Sequence, residues 1–199
     1  MKIGFIGTGQ ITKAVVNGIL KSKTKIKNIY ISERNIKISR VLRSKNKKIK
    51  IIKNNQEIIN KSDWIFLAVT PIVGNKILKN LKFDKNKLVI SFISTINLAK
   101  LKKITGLHKN IVRAIPLPPI AICKGPVPIY PSNSKVKRFF DKLGSTVEIN
   151  NEKLSLNFWT TSAMMAPFYE ILYSLSNWLI KRGIKKENAQ KYISSLFLA

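Results

Sequence analysis

Gly7-Thr-Gly9 follows a short apolar run, Lys2 to Ile6, and precedes a segment carrying Ile11, Val15 and Ile19 at helical spacing. Those residue types in that order suit anion binding. The first glycine makes a sharp turn out of a strand. The second lets the backbone come close to a pyrophosphate, which then lies on the free N–H groups of the helix that follows. The third small position of this fingerprint falls on Thr12, where Gly or Ala is usual. A lone Gly-x-Gly is weak, but one set between a strand and an amphipathic helix carries the context a dinucleotide site requires. The same residues also serve as an ordinary strand-to-helix turn.

Glu33-Arg34 is the next informative pair. It ends a second apolar strand, Lys27 to Ser32. In a mononucleotide-binding unit this position faces the adenosine ribose. A carboxylate there bonds the ribose 2′-OH of NAD, whereas an arginine accepts the 2′-phosphate of NADP. Both types stand side by side, and the two are also placed to form a surface ion pair of little energetic consequence.

Cysteine and histidine chemistry is sparse. Cys123 and His108 are the sole members of their types, which excludes a disulfide framework and a Cys/His metal cluster. Cys123 reads as a core or loop residue and His108 as a loop residue after a helix.

The elements that must position these groups alternate. A helix from Ile36 to Leu42 precedes a third strand, Lys50 to Lys53, and a helix from Glu57 to Asn60 follows it. Trp64 to Val69 is a continuous apolar run, as expected of a strand covered on both faces in a parallel sheet. Thr70-Pro71 opens a helix from Ile72 to Leu81, with proline in a tolerated first-turn place. Strands follow at Leu88 to Phe92 and Ile111 to Ile115, with a helix from Leu98 to Ile104 between them. This alternation predicts an α/β fold, a Rossmann-type doubly wound and mostly parallel sheet. Ligands then belong at the carboxyl ends of the strands, at Gly7 to Gln10, Ser32 to Arg34, Ala68 to Pro71, Ser94 to Thr95 and Pro116 to Pro119.

Pro126 to Tyr130 reads as an edge strand because its prolines cannot serve a central ladder. Val136 to Leu143 reads as a helix, and Thr146 to Ile149 closes a dinucleotide-binding domain of residues 1–151. Residues 152–199 read as a helical segment, broken at Pro167 and at Arg182-Gly183, with a last helix from Lys186 to Ala199. Phe158 to Ile180 is largely apolar, yet Glu170, Pro167 and Asn177 interrupt it, so it reads as a buried helical region and not a membrane span. Met1-Lys2 leads straight into the first strand, which leaves no room for a signal peptide and implies a cytoplasmic location.

The 199 residues carry a formal charge of +28, with lysines crowding Lys21 to Lys27 and Arg40 to Lys53. Such a field attracts nucleic acid at low salt. Lysine, isoleucine and asparagine are abundant everywhere, and no nucleic-acid-binding module is present, so no specific nucleic acid is expected.

With these pieces in order, the chain resembles pyrroline-5-carboxylate reductase over nearly its whole length. The resemblance rests on Ile3-Gly-Phe-Ile-Gly-Thr-Gly-Gln10, Ser62-Asp-Trp-Ile-Phe-Leu-Ala-Val-Thr-Pro71, Val89-Ile-Ser-Phe92, Val112-Arg-Ala-Ile-Pro116 and Gly183-Ile-Lys-Lys-Glu-Asn-Ala189. It implies an NADPH-dependent reductase that passes a hydride to a cyclic imine and makes L-proline, with NAD as the alternative cofactor. It implies that Gly7, Thr8, Gly9, Gln10 and Ile11 line the pyrophosphate and that Ser32 and Arg34 sit by the 2′-phosphate. Asn55, Ala68, Val69, Thr70 and Pro71 would line the adenine and nicotinamide-ribose side. A homodimer or higher homo-oligomer, held through the helical segment, is implied as well.

Two departures stand out. The family's Asn-Thr-Pro is replaced by Leu117-Pro118-Pro119, and its Gly/Ser-rich turn by Ala163-Met-Met-Ala-Pro-Phe-Tyr169. The later helices of the family are missing, so 152–199 reads as a truncated segment. Tyr169 is the one candidate for the proton donor that imine reduction needs; a packed tyrosine in a helical interface is the competing reading. These departures motivate a second hypothesis, a family member that binds NADP without catalysis. The charge motivates a third, a basic nucleic-acid-associated protein.

Overall fold

The computed structural model describes residues 1–197, apart from the side chains of 156 and 159. The chain divides into two compact units, Met1–Lys153 and Leu154–Ala199. In the first, chain order is β1 (Lys2–Ile6), α1 (Gln10–Lys21), β2 (Asn28–Ser32), α2 (Ile36–Lys45), β3 (Ile49–Ile52), α3 (Asn55–Lys61), β4 (Trp64–Leu67) and α4 (Pro71–Ile77). Then come β5 (Leu88–Ser91), α5 (Leu98–Thr105), β6 (Ile111–Ala114), β7 (Pro126–Tyr130), α6 (Ser134–Phe140) and β8 (Ser145–Glu148).

The strands form one eight-stranded sheet in the order β3-β2-β1-β4-β5-β6-β7-β8. From β3 to β6 all neighbours are parallel; β7 runs antiparallel to β6, and β8 parallel to β7. The chain winds outward from β1 through β2 and β3. It then returns to lay β4 on the other side of β1. That reversal makes the crevice between the ends of β1 and β4 the topological switch point, where doubly wound sheets take ligands.

Both faces of the sheet are covered, which is why the central strand β4, Trp-Ile-Phe-Leu, is apolar without a break. On one face Phe5, Phe66, Ile90 and Val112 pack with Val15 and Ile19 of α1 and with Phe139 and Phe140 of α6. On the other, Ile6, Leu67, Val89 and Ile111 pack with Ile58 of α3 and Leu101 of α5. Adjacent residues of one strand thus go to opposite cores, as the pleat requires. Phe5 and Phe66 stack at 4.6 Å between ring centroids across the β1–β4 pair.

Four helices of this unit begin at an asparagine whose side chain accepts an N–H of the first turn. These are Asn35, Asn54, Asn97 and Asn133, ahead of α2, α3, α5 and α6. Helices α1 and α4 begin at Gly9 and Thr70 without such a side-chain bond.

The structure corrects three expectations about elements. β7 lies inside the sheet, with β8 outside it. Its prolines lack donors but keep their acceptors, and the Pro128 carbonyl takes the N–H of Ile115 at 3.1 Å. The helix expected over 72–81 stops at Ile77 and finishes in a 3₁₀ turn, Leu78–Asn80.

The third correction lies in the second unit, which contains α7 (Ser155–Ser162), α8 (Met165–Lys181) and α9 (Lys186–Leu196). Its break comes at Ala163-Met164, before the expected Pro167, because Pro167 falls within the first turn of α8, where its missing N–H costs nothing. Gly183, at φ +90°, ends α8 as expected. The last two residues of the helix expected to run to Ala199 lie outside the described residues. Among the described residues no helix is long and apolar enough to cross a membrane. Nor is the Phe158 to Ile180 stretch buried throughout: Phe168, Ile171, Tyr173 and Trp178 are exposed.

Candidate functional site

The glycine loop after β1 is held by a closed set of hydrogen bonds. The Gly7 N–H donates to Ser32 Oγ at 3.1 Å, and Thr8 Oγ1 donates to the Ser32 carbonyl at 2.5 Å. Thr8 Oγ1 also lies 3.1 Å from Ser32 Oγ, in reach of the serine hydroxyl proton. Thr12 Oγ1 donates to the Gly7 carbonyl at 2.7 Å. Thr12 is fully buried, so its departure from Gly or Ala has a reason: its hydroxyl ties the first turn of α1 back to the loop. Ser32→Ala leaves the Gly7 N–H without its acceptor. That is expected to cost about 1–2 kcal/mol, the penalty for an unmet buried donor, read by urea denaturation.

The two glycines of the loop differ in what they require. Gly7 sits at φ +102°, and a Cβ there would stand 2.3 Å from the Ala68 carbonyl oxygen. The fold itself demands glycine at that place. Gly9 has φ −95°, which any residue adopts, and a Cβ on it would meet nothing within 4 Å among the described residues. The space it leaves opens at the N-terminus of α1, a twelve-residue helix with no side-chain cap and therefore with N–H groups to offer an anion.

A cleft of about 480 Å³ lies there, lined by Gly7, Thr8, Gly9, Arg34, Asn35, Ile36, Ala68, Val69 and Thr70. It occupies the switch point between β1 and β4. A second cleft, about 710 Å³, is lined in part by Ser32, Glu33, Arg34, Ile36, Lys53, Asn55 and Lys76. Arg34 and Ile36 line both, so the two clefts adjoin across a shared wall and make a trough in two parts. Length, an apolar wall and a donor-rich helix start fit a dinucleotide with its pyrophosphate at Gly9.

Residues 2–95 match the family described as NADP oxidoreductase, coenzyme F420-dependent. Pyrroline-5-carboxylate reductase 3 of Danio rerio is 30% identical over 128 residues, which is 63% of this chain and 44% of that one. The chain therefore spans less than half of that relative's length. The solved 1-pyrroline-5-carboxylate reductase of Streptococcus pyogenes superposes with a TM-score of 0.82 at 23% identity, covering 100% of this chain and 77% of that one. The Plasmodium falciparum pyrroline carboxylate reductase, solved with NADP bound, gives 0.81 at 24% identity, covering 99% and 76%.

The chain is similar to pyrroline-5-carboxylate reductases in sequence and shares their fold.

Of the positions the family resemblance singles out, the trough gathers Gly7, Thr8, Gly9, Ser32, Arg34, Asn55, Ala68, Val69 and Thr70. Gln10, Ile11 and Pro71, the first residues of α1 and α4, are not among its lining residues. Glu33 and Arg34 do not form the ion pair their adjacency suggested, although both line the second cleft. Only Arg34 also reaches the first.

Sequence reading passed over Asn35, Ile36, Lys53 and Lys76. The first three follow strand ends within a few residues, and that proximity was the available signal. Lys76, near the end of α4, gave none.

Among the described residues Arg113 is the one buried cation, 4% exposed. Its Nη1 donates to Glu152 Oε1 at 2.6 Å and its Nη2 to the Ser94 carbonyl at 2.6 Å. The same Glu152 oxygen accepts the Leu98 N–H at 2.7 Å. This arginine of the family's strand motif therefore locks the β5–α5 loop to the end of the unit.

The family's Asn-Thr-Pro site, here Leu117-Pro118-Pro119, enters a 3₁₀ turn, Pro118–Ile122. That turn packs on α1 so closely that a Cβ on Gly18 would meet the Ile120 carbonyl at 2.3 Å. Cys123 ends the turn and lends its thiol to the Gly18 carbonyl. His108 is an exposed loop residue. Tyr169 stands in α8 of the second unit, 50% exposed, beside Phe168.

Proposed function

We propose that the chain binds NADP(H) along the trough and reduces 1-pyrroline-5-carboxylate to L-proline. The observation that carries this reading is Gly9: a glycine whose missing Cβ leaves open space among the described residues, at a helix start without a side-chain cap on the switch point. Similarity to pyrroline-5-carboxylate reductases supports the reaction, and the bound NADP of the Plasmodium falciparum structure supports the cofactor. When bound, the reduced nicotinamide supplies the hydride.

The chain's own part is positioning. Gly7 to Gly9 and the first N–H groups of α1, at Gln10 and Ile11, hold the pyrophosphate. Arg34, with Ser32 beneath it, meets the adenosine 2′-phosphate. Asn55 takes the adenine side, and Ala68 to Pro71 the nicotinamide ribose. Tyr169 remains the candidate proton donor. Residues 1–151 serve the cofactor. Residues 152–199 serve self-association, in a cytoplasmic homodimer; the exposed Phe168, Tyr173 and Trp178 supply the apolar surface for it. Sedimentation as a monodisperse monomer would refute that last point.

Arg34→Ala is expected to lower NADPH affinity about tenfold or more, the loss of a charge-assisted contact of roughly 1.5–3 kcal/mol, and to leave NADH affinity in place. Equal losses for both, in parallel fluorescence titrations, would remove Arg34 from the 2′-phosphate.

A second reading is favoured by one observation. Leu117-Pro118-Pro119 presents no polar side chain, and its prolines carry no N–H. On this reading the chain binds NADP but does not turn over. NADPH binding followed by oxidation of the nicotinamide on adding the imine supports the first reading; binding without oxidation supports the second.

A further inference from the structure

We propose that Lys53 and Lys76 act with Arg34 as specificity-determining residues that select the 2′-phosphorylated dinucleotide. This rests on the reading of the trough as an NADP site. The three cations come from three elements: Arg34 follows β2, Lys53 follows β3, and Lys76 lies on α4. All three line the second cleft, where Glu33 is the one carboxylate among the lining residues. Each is exposed, and among the described residues none has a carboxylate oxygen within 4 Å.

Three like charges facing one cavity repel each other, and Glu33 offsets only one of them. The excess of two positive charges matches a phosphomonoester, which carries about −1.5 to −2 at neutral pH. A ribose 2′-OH offers no such charge. The arrangement also answers the conflict written into Glu33-Arg34: the carboxylate that favours NAD is outnumbered in its own cleft by side chains from two other elements.

The cleft separates the two lysines by role from the glycine loop. Gly7 to Gly9 line the first cleft and recognise what NAD and NADP share. Lys53 and Lys76 line the second and recognise where the two differ. Their substitution is therefore expected to change the preference between cofactors while leaving the common binding unaltered.

The test is calorimetric titration of the full chain and of Lys53→Gln, Lys76→Gln and the double variant, with 2′,5′-ADP and 5′-AMP as probes. These fragments report the adenosine end without any turnover. Each single variant is expected to lose about fivefold for 2′,5′-ADP, and the double variant more than about tenfold, with 5′-AMP changed less than about twofold. The loss should shrink as salt rises, since exposed charges are screened.

Two results overturn the proposal. One is a double variant that binds 2′,5′-ADP as the parent does; the other is an equal loss for both probes. If the parent binds NADPH tightly and the double variant matches it, the lysine assignment alone fails. If the parent discriminates neither 2′,5′-ADP from 5′-AMP nor NADPH from NADH, the NADP reading fails with it.

Discussion

Gly9→Ala is expected to lower NADPH affinity by at least about 100-fold, or about 2.7 kcal/mol, in a protein that still folds. The argument turns on the contrast with Gly7. At Gly9 the backbone is extended, and an added methyl meets no protein atom within 4 Å among the described residues. Alanine is a somewhat poorer N-cap than glycine but restricts the unfolded chain, and these effects oppose each other within about 1 kcal/mol. The methyl instead occupies the space over the helix start, where the pyrophosphate must make van der Waals contact with the backbone. Gly7→Ala fails differently. Its φ of +102° and the Ala68 carbonyl at 2.3 Å make the substitution a folding defect, expected to cost more than about 2 kcal/mol. Thermal melts and NADPH titrations of both variants separate the two roles. A Gly9→Ala protein that binds NADPH as the parent does would mean that the open space at Gly9 is not where the cofactor lies.

The second large effect falls on Arg113, away from the trough. Arg113→Ala is expected to destabilise the first unit by about 3 kcal/mol, the low end for breaking a buried pair. The low end applies because Glu152 is 22% exposed and can be rehydrated in part. The loss has two sources. Glu152 loses its cationic partner, and the Ser94 carbonyl loses its donor. Removing both partners should cost less than the sum of the single losses, because no uncompensated charge is then left behind. A double-mutant cycle of Arg113→Ala and Glu152→Ala in urea measures this coupling. A single-variant loss below about 1 kcal/mol would mean that the pair does not lock the β5–α5 loop.

How far these features were legible in the sequence depends on their range. The parallel strands were readable because burial on both faces removes polar residues altogether, as in Trp64 to Val69. The glycine loop was readable because its context is local: strand, turn and helix lie within twenty residues. The function of Thr12 was not, since a hydroxyl returning to the Gly7 carbonyl looks in sequence like a fault in the fingerprint. The role of Arg113 was not legible because its partner Glu152 lies 39 residues on. The central place of β7 was hidden by a rule that is sound for donors; Pro126 and Pro128 lack N–H groups, but the ladder there draws on the Pro128 carbonyl. Lys76 was invisible because its relevance comes from the cleft it shares with Arg34 and Lys53, and no local pattern encodes that.

The most direct measurement is a titration of the protein with NADPH, followed in the same cuvette by 1-pyrroline-5-carboxylate while nicotinamide absorbance is watched. Saturable binding, then loss of absorbance with formation of proline, is the predicted result. Absence of saturable NADPH binding would contradict the account at its centre, because Gly9, the uncapped start of α1 and the trough would then have no ligand in common.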